Sequence, residues 1–94
     1  MPRPLTKADT KNIAGILNAA TEVVTMAYNA HACGILGDGM LGSVEMVRDD
    51  MGRFLAFFED GAGFGWAKPS AIQQMRAIEM MASDLIEQSV RGSA

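Results

Sequence analysis

Ile13, Leu17, Ala20, Val24, Ala27 and His31 follow one another at intervals of three and four, and this spacing constrains the fold of the chain more than any other feature. Side chains so spaced line one side of an α-helix, and an apolar stripe of that kind must find another apolar surface to leave water. Ile16, Val23 and Ala30 widen the stripe. The pattern predicts one long amphipathic helix over about residues 7 to 33, which at 1.5 Å per residue is about 40 Å long. Thr6 and Asp9 have capping-box spacing at its start, with aspartate in the place of the usual Glu or Gln. The two prolines of "MPRPL" favour extended backbone, so residues 1 to 5 read as a flexible arm.

"GILGDGMLGS" follows, and its four glycines favour a connection over continued helix. Ser43 then reads as the cap of a second helix, about 44 to 59. Val44, Val47, Met51, Phe54, Leu55 and Phe58 form its apolar side, and Asp49 and Arg53 sit at i,i+4. Pro69 suits a first helical turn, and Ile72, Met75, Ile78, Ala82, Leu85 and Ile86 recur at helical spacing before Gly92, which predicts a third helix over about 69 to 91. The strand-like fragments "EVVT" and "FLAFF" both lie inside stronger helical patterns. The sequence therefore predicts an all-α fold: a single helical domain spanning residues 1 to 94, with one long N-terminal helix and two shorter ones. Gly15 and Gly52 are the residues at which the first two helices would break, if either does.

Composition narrows the function. A chain of 94 residues has room for one domain, and one this small removes a modest fraction of its surface from water. Its formal net charge of −3 opposes capture of nucleic acid or anionic lipid, both of which need a basic face. No apolar run approaches the roughly 20 residues of a membrane helix, and the N-terminus lacks the apolar core of a signal peptide. Cys33 is the single cysteine, so no intramolecular disulfide forms, and thiolates are too few for a structural zinc site. These features predict a cytoplasmic protein without a metal or other cofactor and without nucleic-acid or membrane partners.

The segment "EDGAGFGWAKPSAI", residues 59 to 72, is the strongest candidate site, with Gly63, Phe64, Trp66 and Lys68 as its candidate binding residues. Glycine-freed N–H groups ahead of a helix N-terminus and a lysine can hold an anion. The spacing departs from the specific versions. A P-loop has G-x-x-x-x-G-K followed by Ser or Thr after a strand, whereas Pro69 follows Lys68 here; "GAGFG" follows a helix and is not G-x-G-x-x-G. The first expectation is structural: glycines turn the chain while Phe64 and Trp66 point inward and close one end of the core. The other is recognition, with one or both aromatics on the surface as interface anchors.

The remaining polar residues give no assembled chemistry. His31 and Cys33 are two positions apart, which on a helix turns them about 200° from each other. His31 reads as a packed residue and Cys33 as a small core filler near a helix end. Asp38, Glu45, Asp49, Asp50, Glu59 and Asp60 match no calcium-loop pattern, and Arg48 and Arg53 interrupt them, so they read as a solvated face. Eight methionines are unusual for this length. Met51 and Met75 fall within predicted core stripes; Met26, Met46 and Met80 fall outside them and widen the apolar surface.

A long first helix on a shorter second one leaves apolar surface uncovered, and Ala14, Ala19, Ala20, Ala27 and Ala30 let another helix approach closely. The expectation is self-association, most simply a twofold helical homodimer with helix one or three at the interface. The first functional reading is a small non-enzymatic protein-interaction module, an adaptor or inhibitor of the phage or plasmid kind, that binds another protein as a homo-oligomer. The alternative is a small-ligand or anion-binding protein that uses the Gly-rich aromatic loop 61–70 at a helix N-terminus. An enzyme ranks third, because no nucleophile, base and orienting group are brought together.

Overall fold

A computed structural model describes residues 12 to 92 and shows three α-helices and no strand among them. Helix α1 spans Ile13–Ala32, α2 spans Asp38–Leu55 and widens into a π-helical turn over Ala56–Asp60, and α3 spans Pro69–Gly92. Ile13 and Leu17 at the start of α1 lie beside Ala71 and Gln74 at the start of α3, while Tyr28 meets Met81 further along both helices. The two therefore run parallel. Val23 and Met26 in the second half of α1 meet Gly39 and Met40 at the start of α2, so α2 runs antiparallel between them. The arm, the capping box and residues 7 to 11 of the expected first helix lie outside the described residues.

The predicted stripes form the core. Leu17, Val24 and Ala27 of α1 pack with Val44, Met51 and Phe58, and with Met75, Ile78, Ala82 and Leu85 of α3. Leu17, Val24, Val44, Met51, Met75 and Leu85 lose essentially all contact with solvent, each worth roughly 1.5 to 3 kcal/mol of transfer free energy. No polar or charged side chain is buried among the described residues. Gly15 and Gly52 interrupt neither helix.

Helix α1 ends on a backbone device that the sequence only hinted at. Gly34 takes φ +76°, its N–H bonds the His31 carbonyl at 3.0 Å, and the Ile35 N–H bonds the Ala30 carbonyl at 2.9 Å. These are the paired bonds of a Schellman stop, which needs a residue free to adopt left-handed backbone. Cys33 sits at this cap and is exposed, contrary to the expectation of a core filler; once the helix stops, its side chain no longer follows the inward stripe.

The second helix corrects the sequence reading most. It begins at Asp38 and not at residue 44, and Gly39 and Gly42 lie within it. Gly37 is its extended N-cap, and the Asp38 carboxylate stands at the positive end of the helix, a favourable placement. Leu36 and Met40 pack against the core, and this burial offsets the roughly 1 kcal/mol cost of each interior glycine. Ser43 is consequently not a cap: its hydroxyl donates back to the Gly39 carbonyl. Arg53 pairs with Asp50 at i,i+3 and not with Asp49, which Arg48 engages at 3.2 Å. From Asp38 through its π-helical turn to Asp60 the second helical segment runs longer than the expected 44 to 59. Ala20, Ala27 and Ala30 are buried within the bundle.

Tyr28 ties α1 to α3 through polar contact. The Tyr28 hydroxyl donates to the Met81 carbonyl at 3.2 Å. Partial burial, with the Asp84 carboxylate beside it, holds the phenol above the ordinary tyrosine range. The folded chain thus keeps this proton to higher pH than the unfolded chain does. The stability from Tyr28 is complete below the unfolded pKa, near 10, and is lost as pH rises through the folded value. Chemical denaturation of the wild type and Tyr28→Phe should therefore give a stability difference that shrinks as pH climbs past about 10; a difference that does not change there would contradict the assignment.

Candidate functional site

The residues singled out in the sequence lie at one end of the bundle, in the connection between the π-helical turn and α3. The consecutive Phe57 and Phe58 organise it. Phe58 is buried in the core, and Phe57 meets it edge-on, with ring centroids 5.0 Å apart at 83°. Trp66 packs its ring across Phe57 at 5.7 Å and 74°. Such edge-to-face pairs contribute about 0.5 to 1.5 kcal/mol beyond their buried area. The Phe57 carbonyl accepts from both the Gly61 and Gly63 N–H groups at 3.2 Å, which folds the chain back over its own ring.

Gly63 is buried under this fold, where a Cβ would lie 2.2 Å from Phe57 Cε1. Gly63 to Trp66 form a turn: the Trp66 N–H donates to the Gly63 carbonyl at 2.9 Å, and Gly65 at its third position has φ +83°. That conformation favours glycine. Phe64 is the second residue of the turn and stands 74% exposed.

The expectation that both aromatics turn inward is thus half corrected. Trp66 does close this end of the core, half-buried against Phe57, but Phe64 points into solvent. The reason is local: the turn is held by a hydrogen bond between its first and fourth residues, Gly63 and Trp66, and Phe64 stands at its tip. Phe57, which the sequence reading left out of the site, is its hub. The doubled aromatic "FF" just before a glycine run was the available signal.

Several of the backbone donors expected to hold an anion are engaged internally. The N–H groups of Gly61, Gly63, Phe64 and Trp66 all bond carbonyls within the segment. At the α3 N-terminus Pro69 has no N–H, and those of Ala71 and Ile72 both reach the Lys68 carbonyl. Lys68 is exposed and borders a cleft of about 460 Å³ whose walls include Ile13, Leu17, Trp66, Ala71 and Gln74. A second cleft of about 370 Å³ lies on the other side of the loop, between Asp60, Phe64, Ile72 and Arg76. Arg76 pairs with Glu59 across it, tying α3 to the π-helical turn. Asp60 and Lys68 are both exposed and enter no ion pair among the described residues.

Elsewhere, His31 is half-buried near the end of α1, and no group of three His, Cys, Asp or Glu residues among those described is arranged to hold a metal ion. No described helix is long and apolar enough to cross a membrane. Against known proteins, no family model matches the chain, and neither the curated proteins nor the solved structures contain a match.

Two glycine substitutions test this construction. Gly63→Ala must push the Phe57 ring aside and is expected to cost about 1 to 3 kcal/mol in chemical denaturation. Gly15→Ala meets no heavy atom within 4 Å among the described residues and should stabilise α1 by up to about 1 kcal/mol. Equal effects of the two would show that loop 61–68 is not packed on Phe57 as described.

Proposed function

We propose that this chain is a small non-enzymatic protein-interaction module, working as a helical homo-oligomer that holds another protein on its apolar surface. The reading places it with adaptors and inhibitors of the phage or plasmid kind, acting in the cytoplasm. What carries it is the division among the methionines. Met51 and Met75 fill the core, whereas Met26, Met46 and Met80 stand 59%, 67% and 71% exposed. Unbranched thioethers on a surface adapt to the shape of a partner, and such exposure is costly for a chain that stays alone. Met26 borders a cleft with Val23 and Met40, and Met80 another with Met81 and Tyr28. The test is capture of a binding protein from the cells that make the chain, by the wild type and by a variant with Met26, Met46 and Met80 all changed to Gln. The wild type should hold a specific protein at stoichiometric level, and the variant, equally folded by circular dichroism, should lose at least about tenfold in affinity. Capture of nothing by the wild type, or equal capture by both, would sink the proposal.

A second reading rests on the cleft beside Lys68. Apolar walls from Ile13, Leu17 and Trp66 with one ammonium at the rim suit a small apolar molecule carrying one acidic group. Trp66 is the single tryptophan, so its fluorescence reports the cleft directly. Titration with medium-chain carboxylates should shift the emission saturably, and Lys68→Gln should weaken binding about tenfold. An emission spectrum unmoved by such ligands would remove this reading.

A further inference from the structure

Phe64 is displayed on a rigid support. Its turn is closed by the Trp66 N–H to Gly63 carbonyl bond, Gly65 supplies the left-handed backbone, and Gly63 is locked beneath the Phe57 ring. Backbone held in place this way has already lost the freedom that binding would otherwise remove from it, which favours the use of the aromatic it carries as an anchor. Charge is arranged around it in a balanced way. Asp60 and Lys68 lie four residues before and four residues after Phe64 and border different clefts, Asp60 the 370 Å³ cleft and Lys68 the 460 Å³ cleft. Both are exposed without an ion-pair partner among the described residues, while the neighbouring Glu59 and Arg76 neutralise each other.

Opposite charges on either side of a central apolar residue form a surface complementary to itself. A twofold axis through the apolar residue turns the second copy so that its cation faces the first copy's anion, and the reverse. Resting on the reading that the chain self-associates, we propose that two copies meet end to end through residues 60 to 68. The Phe64 rings pack together at the axis, and Asp60 of each copy pairs with Lys68 of the other. The occupant of this surface is a second copy of the chain, because both charges and the anchor are then satisfied by the same segment. The contact involves far fewer than the roughly 20 to 30 residues a side of a standard interface, so the dimer is weak and exchanges with monomer at micromolar concentration or above. The sides of the bundle with Met26, Met46 and Met80 stay open for a different protein.

Equilibrium sedimentation of the full chain from about 1 μM to about 1 mM at low salt tests the proposal. The wild type should show a monomer–dimer equilibrium that weakens as salt is added. Phe64→Ser should raise the dissociation constant by at least about tenfold. Asp60→Lys and Lys68→Asp should each weaken it about tenfold, and the two together should return it to within about threefold of wild type. All three positions are exposed, and circular dichroism checks that each variant folds. A dimer that is indifferent to Phe64→Ser, or charge reversals that fail to rescue each other, would overturn the loop contact while leaving self-association standing. A monomer across the whole range would overturn both.

Discussion

One apolar seam holds the bundle, and everything else in the structure is positioned by it. Val24 of α1, Val44 and Met51 of α2, and Met75, Ala82 and Leu85 of α3 meet along the bundle with no polar group among them. Nothing directional fixes the helices there; shape and the exclusion of water do. In a domain this small the conformational entropy lost on folding nearly cancels such burial, so each large side chain in the seam carries a sizeable part of the net stability. The seam also explains how α2 tolerates Gly39 and Gly42. Once Val44 and Met51 are docked, helix extends backward toward Asp38 because Met40 and Leu36 gain the same apolar surface.

At the opposite end of α2 the same demand for burial produces the candidate site. Phe57 and Phe58 are adjacent, and both must reach apolar surroundings although neighbours on a helix point in different directions. The helix widens into a π-helical turn there, a departure often associated with functional positions. Phe58 enters the core, and Phe57 becomes the platform on which Gly63 and Trp66 are laid. Exposure of Phe64 follows from packing beneath it, since the residues on either side of it in the turn are committed to Phe57 and to each other. The loop is structural at its base and available at its tip.

Two kinds of apolar exposure on the surface differ in physical character. Phe64 projects from a turn whose backbone is held by hydrogen bonds, with Asp60 and Lys68 four residues before and after it. Met26, Met46 and Met80 are flexible side chains along the helices, able to adjust to an uneven partner. Stiff anchors favour one geometry, which suits a symmetric contact between identical copies, whereas adaptable thioethers suit a surface that must conform to a different protein. The module proposed above uses each for the task it fits.

The periodic positions of the core were legible in the sequence because burial on a helix repeats every three to four residues whatever the helix packs against. Leu17, Val24, Met51, Met75 and Leu85 could be assigned without coordinates, as could the exposure of Met26, Met46 and Met80 and the start of α3 at Pro69. Glycine was read correctly at the end of α1 and in the loop before α3 but not at Gly39 and Gly42, since the residue permits many conformations and selects none. Gly34 ends a helix, Gly39 and Gly42 continue one, Gly63 lets a ring lie against backbone, and Gly65 turns the chain. Which of these each glycine does depends on neighbours brought close by the fold. The sequence likewise marked Phe64 and Trp66 together, and only the tertiary structure separates them: packing on the Phe57 ring holds Gly63 and Trp66, the two ends of the turn, and leaves Phe64 between them in solvent.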